Sequence, residues 1–213
     1  MPMKRPAPKR ALLQALSSNI EGTALWQTER MPVLQPCLPP VPILETARLQ
    51  LRAHTEADLP AMVRMWADPV VVRYLGCTPQ SSQETWIRYL RHLGQWAHFG
   101  YGYWAVEERA TGRFVGEAGF ADYDRLTMPQ VALAPEIGWV PAAKAHGKGY
   151  ATEAAQAMLA WGATAFGKAR TGRCLIEQGH TASRHVALKC GFLDFALVEH
   201  RNSPAWILEL QRL

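Results

Sequence analysis

Cysteine is scarce in this chain of 213 residues: the four, Cys37, Cys77, Cys174 and Cys190, include no C-x-x-C pair. That is too few to staple a core of this length, and the spacing suits neither a disulfide framework nor a zinc ribbon. Reduced thiols in a cytoplasm are expected. Long apolar runs are missing as well. No stretch approaches the roughly 18 apolar residues of a membrane span, and the basic N-terminus lacks the apolar segment and small-residue cleavage site of an exported chain. A soluble, cytoplasmic protein with no membrane partner is expected.

A broad surface of one charge is also absent. The net charge is +5, but residues 1–42 supply three of those units, with five bases (Lys4, Arg5, Lys9, Arg10, Arg30) against two acids (Glu21, Glu29). The remaining body is too nearly balanced for a nucleic-acid partner, although a small cationic pocket for an anionic cofactor is compatible with it. No H-E-x-x-H occurs, and His180 and His185 with Cys174 and Cys190 lack zinc-ligand spacing, so no metal site is expected.

What is present is 48% apolar residues, enough for one core and roughly one domain. Residues 1–42 hold eight of the fifteen prolines and read as an extension plus linker. Within them Ala11 to Ile20 can form a short amphipathic helix, and a mobile leader is the plainer alternative. The folded domain is placed at 43–213. A strand is expected over Leu44 to Arg52, then two helices: Leu59, Met62, Val63 and Trp66 recur at helical spacing, as do Trp86, Leu90, Leu93 and Ala97 after an N-cap at Ser81-Ser82. A hairpin follows, Tyr103 to Glu107 and Phe114 to Phe120, turning at Ala110 to Arg113. A strand at Glu136 to Val140 leads through small residues into a helix with Ala151, Ala154, Ala155, Met158, Leu159 and Gly162 on one face. A strand at Cys174 to Glu177, a short helix from about Ser183 closed by Gly191, and strands at Asp194 to Arg201 and Trp206 to Leu210 complete the chain.

The most informative segment is His146-Gly147-Lys148-Gly149-Tyr150-Ala151-Thr152-Glu153. Two glycines let backbone N–H groups crowd toward a ligand where a helix begins, a place that attracts phosphate oxygens. The plain alternative is a tight strand-to-helix turn. A dinucleotide fingerprint needs a third glycine where Thr152 stands, and a P-loop needs Ser or Thr where Gly149 follows Lys148, so neither applies.

Here the sequence resembles the GNAT superfamily of acyl-CoA-dependent N-acetyltransferases, over about residues 44 to 212. Lys144-Ala145-His146-Gly147-Lys148-Gly149 matches its pyrophosphate loop, Q/R-x-x-G-x-G/A, with Lys in the leading place. More specific is the ordered set Glu45-Thr46-x-Arg48-Leu49-x-Leu51-Arg52, Asp68-Pro69-x-Val71-x-Arg73-Tyr74-Leu75-Gly76, Glu136-Ile137-Gly138-Trp139-x-x-Pro and Ala182-Ser183-Arg184-x-Val186-Ala187-x-Lys189-x-Gly191-Phe192. Together these are similar to the branch containing the bacterial ribosomal-protein N-terminal acetyltransferases.

The resemblance implies an α+β fold, the GNAT acyl-CoA N-acyltransferase fold, with a mixed, mostly antiparallel sheet, helices on both faces and a splay where acetyl-CoA enters. It implies transfer of an acetyl group to a primary amine, on a protein N-terminus or a small molecule, by direct attack in a ternary complex. Lys144 through Thr152, including Tyr150 and Ala151, would bind the pyrophosphate. The backbone N–H near Val140, beside a bulge and next to Trp139, would receive the thioester oxygen. Glu136 is the first choice of base and a solvent-facing or Arg-paired carboxylate the alternative; Glu177 and Glu199 are reserves. Ser183 would assist thiolate departure or be an N-cap. His180 stands where relatives carry Asn, as a substitute hydrogen-bond partner, as the acid or base itself, or as an exposed loop residue. Tyr150, Tyr101 and Tyr103 are further proton donors or packing residues, and the tryptophans are core residues, with Trp104 and Trp139 the two that would line the acceptor cleft. Acceptor choice would reside in Pro79 to Gly102 and in Asp122 to Pro135. A homodimer is compatible with the family, and the competing function is a non-catalytic acyl-CoA sensor or assembly subunit.

Overall fold

The computed structural model describes residues 40–133, 135–167 and 171–211, so the expected extension lies outside the described residues except for residues 40–42. Of these, Val41 packs against the core and Pro42 O accepts from Trp104 Nε1 at 2.8 Å.

Among the described residues eight strands form one mixed sheet. The strand expected over Leu44 to Arg52 is two, β1 (Leu44–Glu45) and β2 (Leu49–Arg52), paired antiparallel. The break comes from Thr46, whose Oγ1 accepts from Leu49 N–H at 2.8 Å and closes a tight turn. Helix α1 (Leu59–Trp66), the short α2 (Pro69–Val72) capped by Asp68, and α3 (Ser82–Phe99) follow. The N-cap of α3 is Ser81, in a capping box with Glu84, and Gly100 in the left-handed region ends the helix.

Strands β3 (Tyr103–Glu108), β4 (Arg113–Ala121) and β5 (Glu136–Pro141) continue antiparallel, and α4 (Tyr150–Ala165) crosses back to β6 (Gly172–Glu177). Among the described residues only β5 and β6 run parallel, and they pair at Glu136↔Arg173 alone. Beyond that point they diverge, which makes the splay. Helix α5 (Thr181–Lys189) and the hairpin β7 (Leu193–His200) and β8 (Ser203–Leu210) close the fold, with β8 inserted beside β6.

Strand alternation sorts the side chains onto two faces. Trp104, Val106, Ala118, Phe120, Ile137 and Trp139 meet Ala154, Ala155 and Met158 of α4 and Ala187 of α5 in the main core. The opposite face, under α1 and α3, carries Tyr103, Glu117, Gly119, Glu136 and Gly138. Burying apolar area at roughly 25 cal/mol per Å² holds the helices to the sheet. No helix among the described residues is long and apolar enough to cross a membrane.

Candidate active site

The strand-to-helix turn after β5 has the features that an anion cradle requires. Gly147 and Gly149 sit at φ +75° and +79°, where a Cβ would be strained, and a Cβ on Gly147 would meet nothing within 4 Å. Gly149 is the N-cap of α4 and brings no side chain to its first N–H groups. Lys144 and Lys148 are exposed beside the turn.

The turn is stapled from a distance. Glu153, in the first turn of α4, accepts from Thr46 Oγ1 (2.6 Å), Arg48 N (2.9 Å) and Arg48 Nε (2.7 Å), and Arg48 Nη1 donates to Lys148 O at 2.9 Å. The Glu45-Thr46-x-Arg48 motif thus anchors the glycine turn, and Arg48 offsets the acidic charge of Glu153 near the cradle. Tyr150 is turned away: its ring is buried under Arg48 and its hydroxyl donates to Glu108. Only its backbone remains for the cradle.

A cavity of about 1070 Å³ occupies the splay. Its walls include Glu136, Trp139 and Val140 of β5, Glu177 of β6, His180 and Ser183 at the start of α5, and Tyr103 and Arg88 on the α1/α3 side. The expected acceptor regions both contribute, through Gln80, Arg88 and Arg91 from one and Tyr123, Arg125 and Leu126 from the other.

Several expected residues fall differently. Strand β5 pairs with β4 in unbroken register from Gly116↔Pro141 to Ala121↔Glu136, without the expected bulge. Ala142 N–H donates to Val115 O at 2.9 Å and Arg173 N–H to Pro135 O at 3.4 Å. By the ladder's alternation, even-numbered residues of β5 turn their backbone to β4 and odd-numbered ones to β6. The N–H of Val140 therefore faces β4, and that of Trp139 points into the splay. Ser183 is not an N-cap: α5 begins at Thr181, and Ser183 Oγ accepts from Trp139 Nε1 at 3.1 Å. This bond leaves the hydroxyl hydrogen free for the cavity.

Glu136 lines the cavity, yet Arg125 takes both its oxygens, Nε to Oε2 at 2.5 Å and Nη2 to Oε1 at 2.8 Å. Arg125 also reaches His200 Nε2 at 3.5 Å, while His200 Nδ1 lies 3.0 Å from Leu126 O. His180 is half-buried and stacked on Tyr74 at 4.7 Å, rather than exposed. Burial, with His146 nearby, holds its imidazole below the ordinary value. Tyr103 lies across Gly138, and burial pushes the phenols of Tyr103 and Tyr123 up, so both stay protonated. Trp104 is fully buried in the core, and Trp66 lines the cavity instead. Tyr101 and Glu199 are not among the cavity's walls.

Behind Trp66 the fold assembles a group that sequence spacing did not reveal. His54, His92 and Glu117 offer ligand atoms within 4.8 Å of one another, with Glu117 accepting from Trp66 Nε1 at 3.2 Å. Their side chains are 1%, 1% and 0% exposed, and each imidazole Nε2 faces a Glu117 oxygen, at 3.4 and 3.5 Å. The two rings stack at 4.7 Å and 16°, which runs their in-plane lone pairs side by side rather than converging as zinc needs. Burial pushes His92 down to about 4, outweighing the attraction of Glu117. The facing imidazoles hold the Glu117 carboxyl low against its burial. A ring shut off from water stays neutral, so burial governs His92 at neutral pH.

The splayed sheet, glycine cradle and adjoining cavity define an acyltransferase of the GNAT type. The family model described as an acetyltransferase (GNAT) domain matches residues 48–193, and the chain belongs to that family. An N-acetyltransferase of Bacillus subtilis, YoaA, whose function is uncharacterized, is 30% identical over 152 residues, 71% of this chain and 82% of that protein. An acetyltransferase from Agrobacterium tumefaciens superposes with a TM-score of 0.69 at 26% identity, covering 83% of this chain and 98% of its own. RimL, a ribosomal-protein α-N-acetyltransferase, shares the fold, with a TM-score of 0.64 at 16% identity over 82% of this chain and 99% of its own.

Proposed function

We propose that the protein is an acetyl-CoA-dependent N-acetyltransferase that acts on a primary amine by direct attack within a ternary complex. The observation that carries this reading is the cavity in the splay, with the inward N–H of Trp139, beside a glycine cradle at the N-terminus of α4. Backbone N–H groups of Gly147 to Thr152, with Lys144 and Lys148, receive the pyrophosphate of acetyl-CoA. Trp139 N–H stabilises the oxyanion that develops on the thioester carbonyl as the amine nitrogen bonds to its carbon. Glu136 takes the proton the amine loses, which requires Arg125 to yield one of its two bonds. Ser183 hydrogen-bonds the sulfur through its hydroxyl as the carbon–sulfur bond breaks, the departing thiolate is protonated from solvent while Glu136 returns the amine's proton to solvent, and His180 borders the pantetheine path.

The thiols beside the cavity favour direct transfer over an acyl-cysteine route. Cys77 and Cys174 line it, and burial pushes both up, so neither supplies a thiolate at neutral pH.

The test pairs calorimetric acetyl-CoA binding with thiol release across a panel of amines, in wild type and Gly147→Trp. An indole on Gly147 fills the open cradle; the expected result is saturable binding and turnover in wild type, with binding lost in the variant. Tight binding without turnover on any amine makes the protein an acyl-CoA sensor instead, a reading that the Arg125 lock on Glu136 favours. Absence of binding in wild type overturns the cofactor assignment.

A further inference from the structure

The cavity walls carry four guanidiniums, Arg88, Arg91, Arg125 and Arg201, against two carboxylates, Glu136 and Glu177. Arg125 is spent on Glu136. Glu177 stands at the end of β6, next to the turn that leads to His180. Among the described residues no carboxylate lies within ion-pair distance of Arg88, Arg91 or Arg201. Glu84, one helical turn before Arg88, is held in the cap by Ser81 N and Oγ, at 2.8 and 2.7 Å.

These arginines are held in place. The Arg88 guanidinium lies 3.4 Å over the Trp66 ring, and its Nε and Nη2 both donate to Gln80 Oε1 at 3.2 Å. Gln80 is itself fixed by its N–H on Trp66 O at 2.9 Å. Arg91, three residues on and so on the same face of α3, lies over Tyr123 at 5.0 Å. Arg201 enters from the β7–β8 turn in the left-handed region, at φ 52°, and its Nη1 donates to Gly76 O at 2.7 Å.

A half-buried guanidinium whose hydrogen bonds and ring contact are with only a neutral amide and an aromatic face, and which the Glu117 charge reaches only from behind Trp66, keeps donors unspent, and its planar fork matches carboxylate or phosphate oxygens. Burial also lowers the hold of Arg88 on its proton, the cost an incoming anion would offset. A polyamine or a lysine-rich segment would meet like charges on the same wall.

We propose that the acceptor is a primary amine that also carries a carboxylate or phosphate, with Arg88 and Arg91 as its anion subsite and Arg201 closing the opposite wall. The proposal rests on the acetyltransferase reading above. The anion lies toward α3 while the amine reaches the thioester at Trp139, so the cavity selects acceptors by the group opposite the reacting nitrogen.

The test uses pairs that differ in charge: glutamate and glutamine, phosphoethanolamine and ethanolamine, and the peptides Ser-Glu-Asp-Ala and Ser-Lys-Lys-Ala. Thiol release gives kcat/KM for each, after calorimetry has established acetyl-CoA binding. The anionic member of at least one pair is expected to lead by about tenfold or more, the scale of a charge-assisted bidentate contact. The pair that responds distinguishes amino acid, phosphomonoester and peptide as the source of the anion. Arg88→Gln and, independently, the exposed Arg91→Gln are expected to bring that ratio toward one, chiefly through KM. Arg91→Gln keeps the test open if Arg88→Gln fails to fold. Neutral or cationic members matching or exceeding their partners, with acetyl-CoA bound and turned over, overturn the anion subsite and leave the acetyltransferase reading intact. A ratio that survives both substitutions overturns the role of α3. Absence of acetyl-CoA binding overturns the underlying reading.

Discussion

Gly138 and Tyr103 provide a sharp test of the wall between sheet and acceptor cavity. A Cβ on Gly138 would lie 1.9 Å from the Tyr103 hydroxyl oxygen and 3.1 Å from Cζ. Tyr103 is 7% exposed and its ring stacks on His92 at 5.2 Å, so moving the hydroxyl into the cavity gives up that stack. Gly138→Ala is therefore an overpacking change, expected to cost about 2 kcal/mol and to lower Tm by about 4–8 °C for a domain of this size. Tyr103→Phe alone removes one hydroxyl and costs about 1 kcal/mol. In the double variant the 1.9 Å clash disappears and only the 3.1 Å contact remains, relieved by a shift of a few tenths of an ångström. The pair should then be more stable than the two single costs added together, by about 1–2 kcal/mol. Urea unfolding of the four proteins at a common m-value measures this coupling. Additivity within about 0.5 kcal/mol, or a Gly138→Ala protein as stable as wild type, would refute the packing argument.

Two further expectations concern charge. Glu136→Gln should lower kcat by about a hundredfold while acetyl-CoA affinity stays as in wild type, since the carboxylate serves proton removal rather than the cradle; a kcat within about twofold of wild type removes Glu136 from the base role. The second concerns acid stability. His92 falls from its ordinary 6.5 to about 4 in the folded protein, so between those values the unfolded chain holds the extra proton. The stability this contributes is whole above about pH 6.5 and is lost as pH falls toward 4, by roughly 3 kcal/mol in all. Urea midpoints of wild type and His92→Gln from pH 7.5 to 4.5 measure it, and parallel pH curves for the two would show that His92 is not responsible.

Much of the fold is written locally along the chain. The hairpin, the helices after β2, the small-residue face of α4 and the glycine turn each depend on residues a few positions apart, where hydrophobic period and positive-φ glycine act directly. The family motifs add the order of those pieces, which is why the splayed sheet was legible before any coordinates. Trp139, Ser183, His180 and Glu136, singled out from the sequence, line one cavity.

Their partners lie outside their own elements. Arg125 reaches Glu136 from a loop that displays no regular pattern, Tyr74 stacks on His180 across more than a hundred residues, and Arg201 reaches the cavity only once β7 and β8 have folded back. His54, His92 and Glu117 come together from a loop, a helix and a strand, at spacings that no ligand motif contains. The choice between Val140 and Trp139 is of the same kind. The N–H that enters the splay follows from strand register, in which a shift of one residue reverses every backbone and side-chain direction. Sequence by itself determined the elements, their order and the glycine cradle, because those are local preferences. Tertiary structure alone decided which charges are spent on one another and which remain for a substrate, because that is set by distances between groups the chain keeps apart.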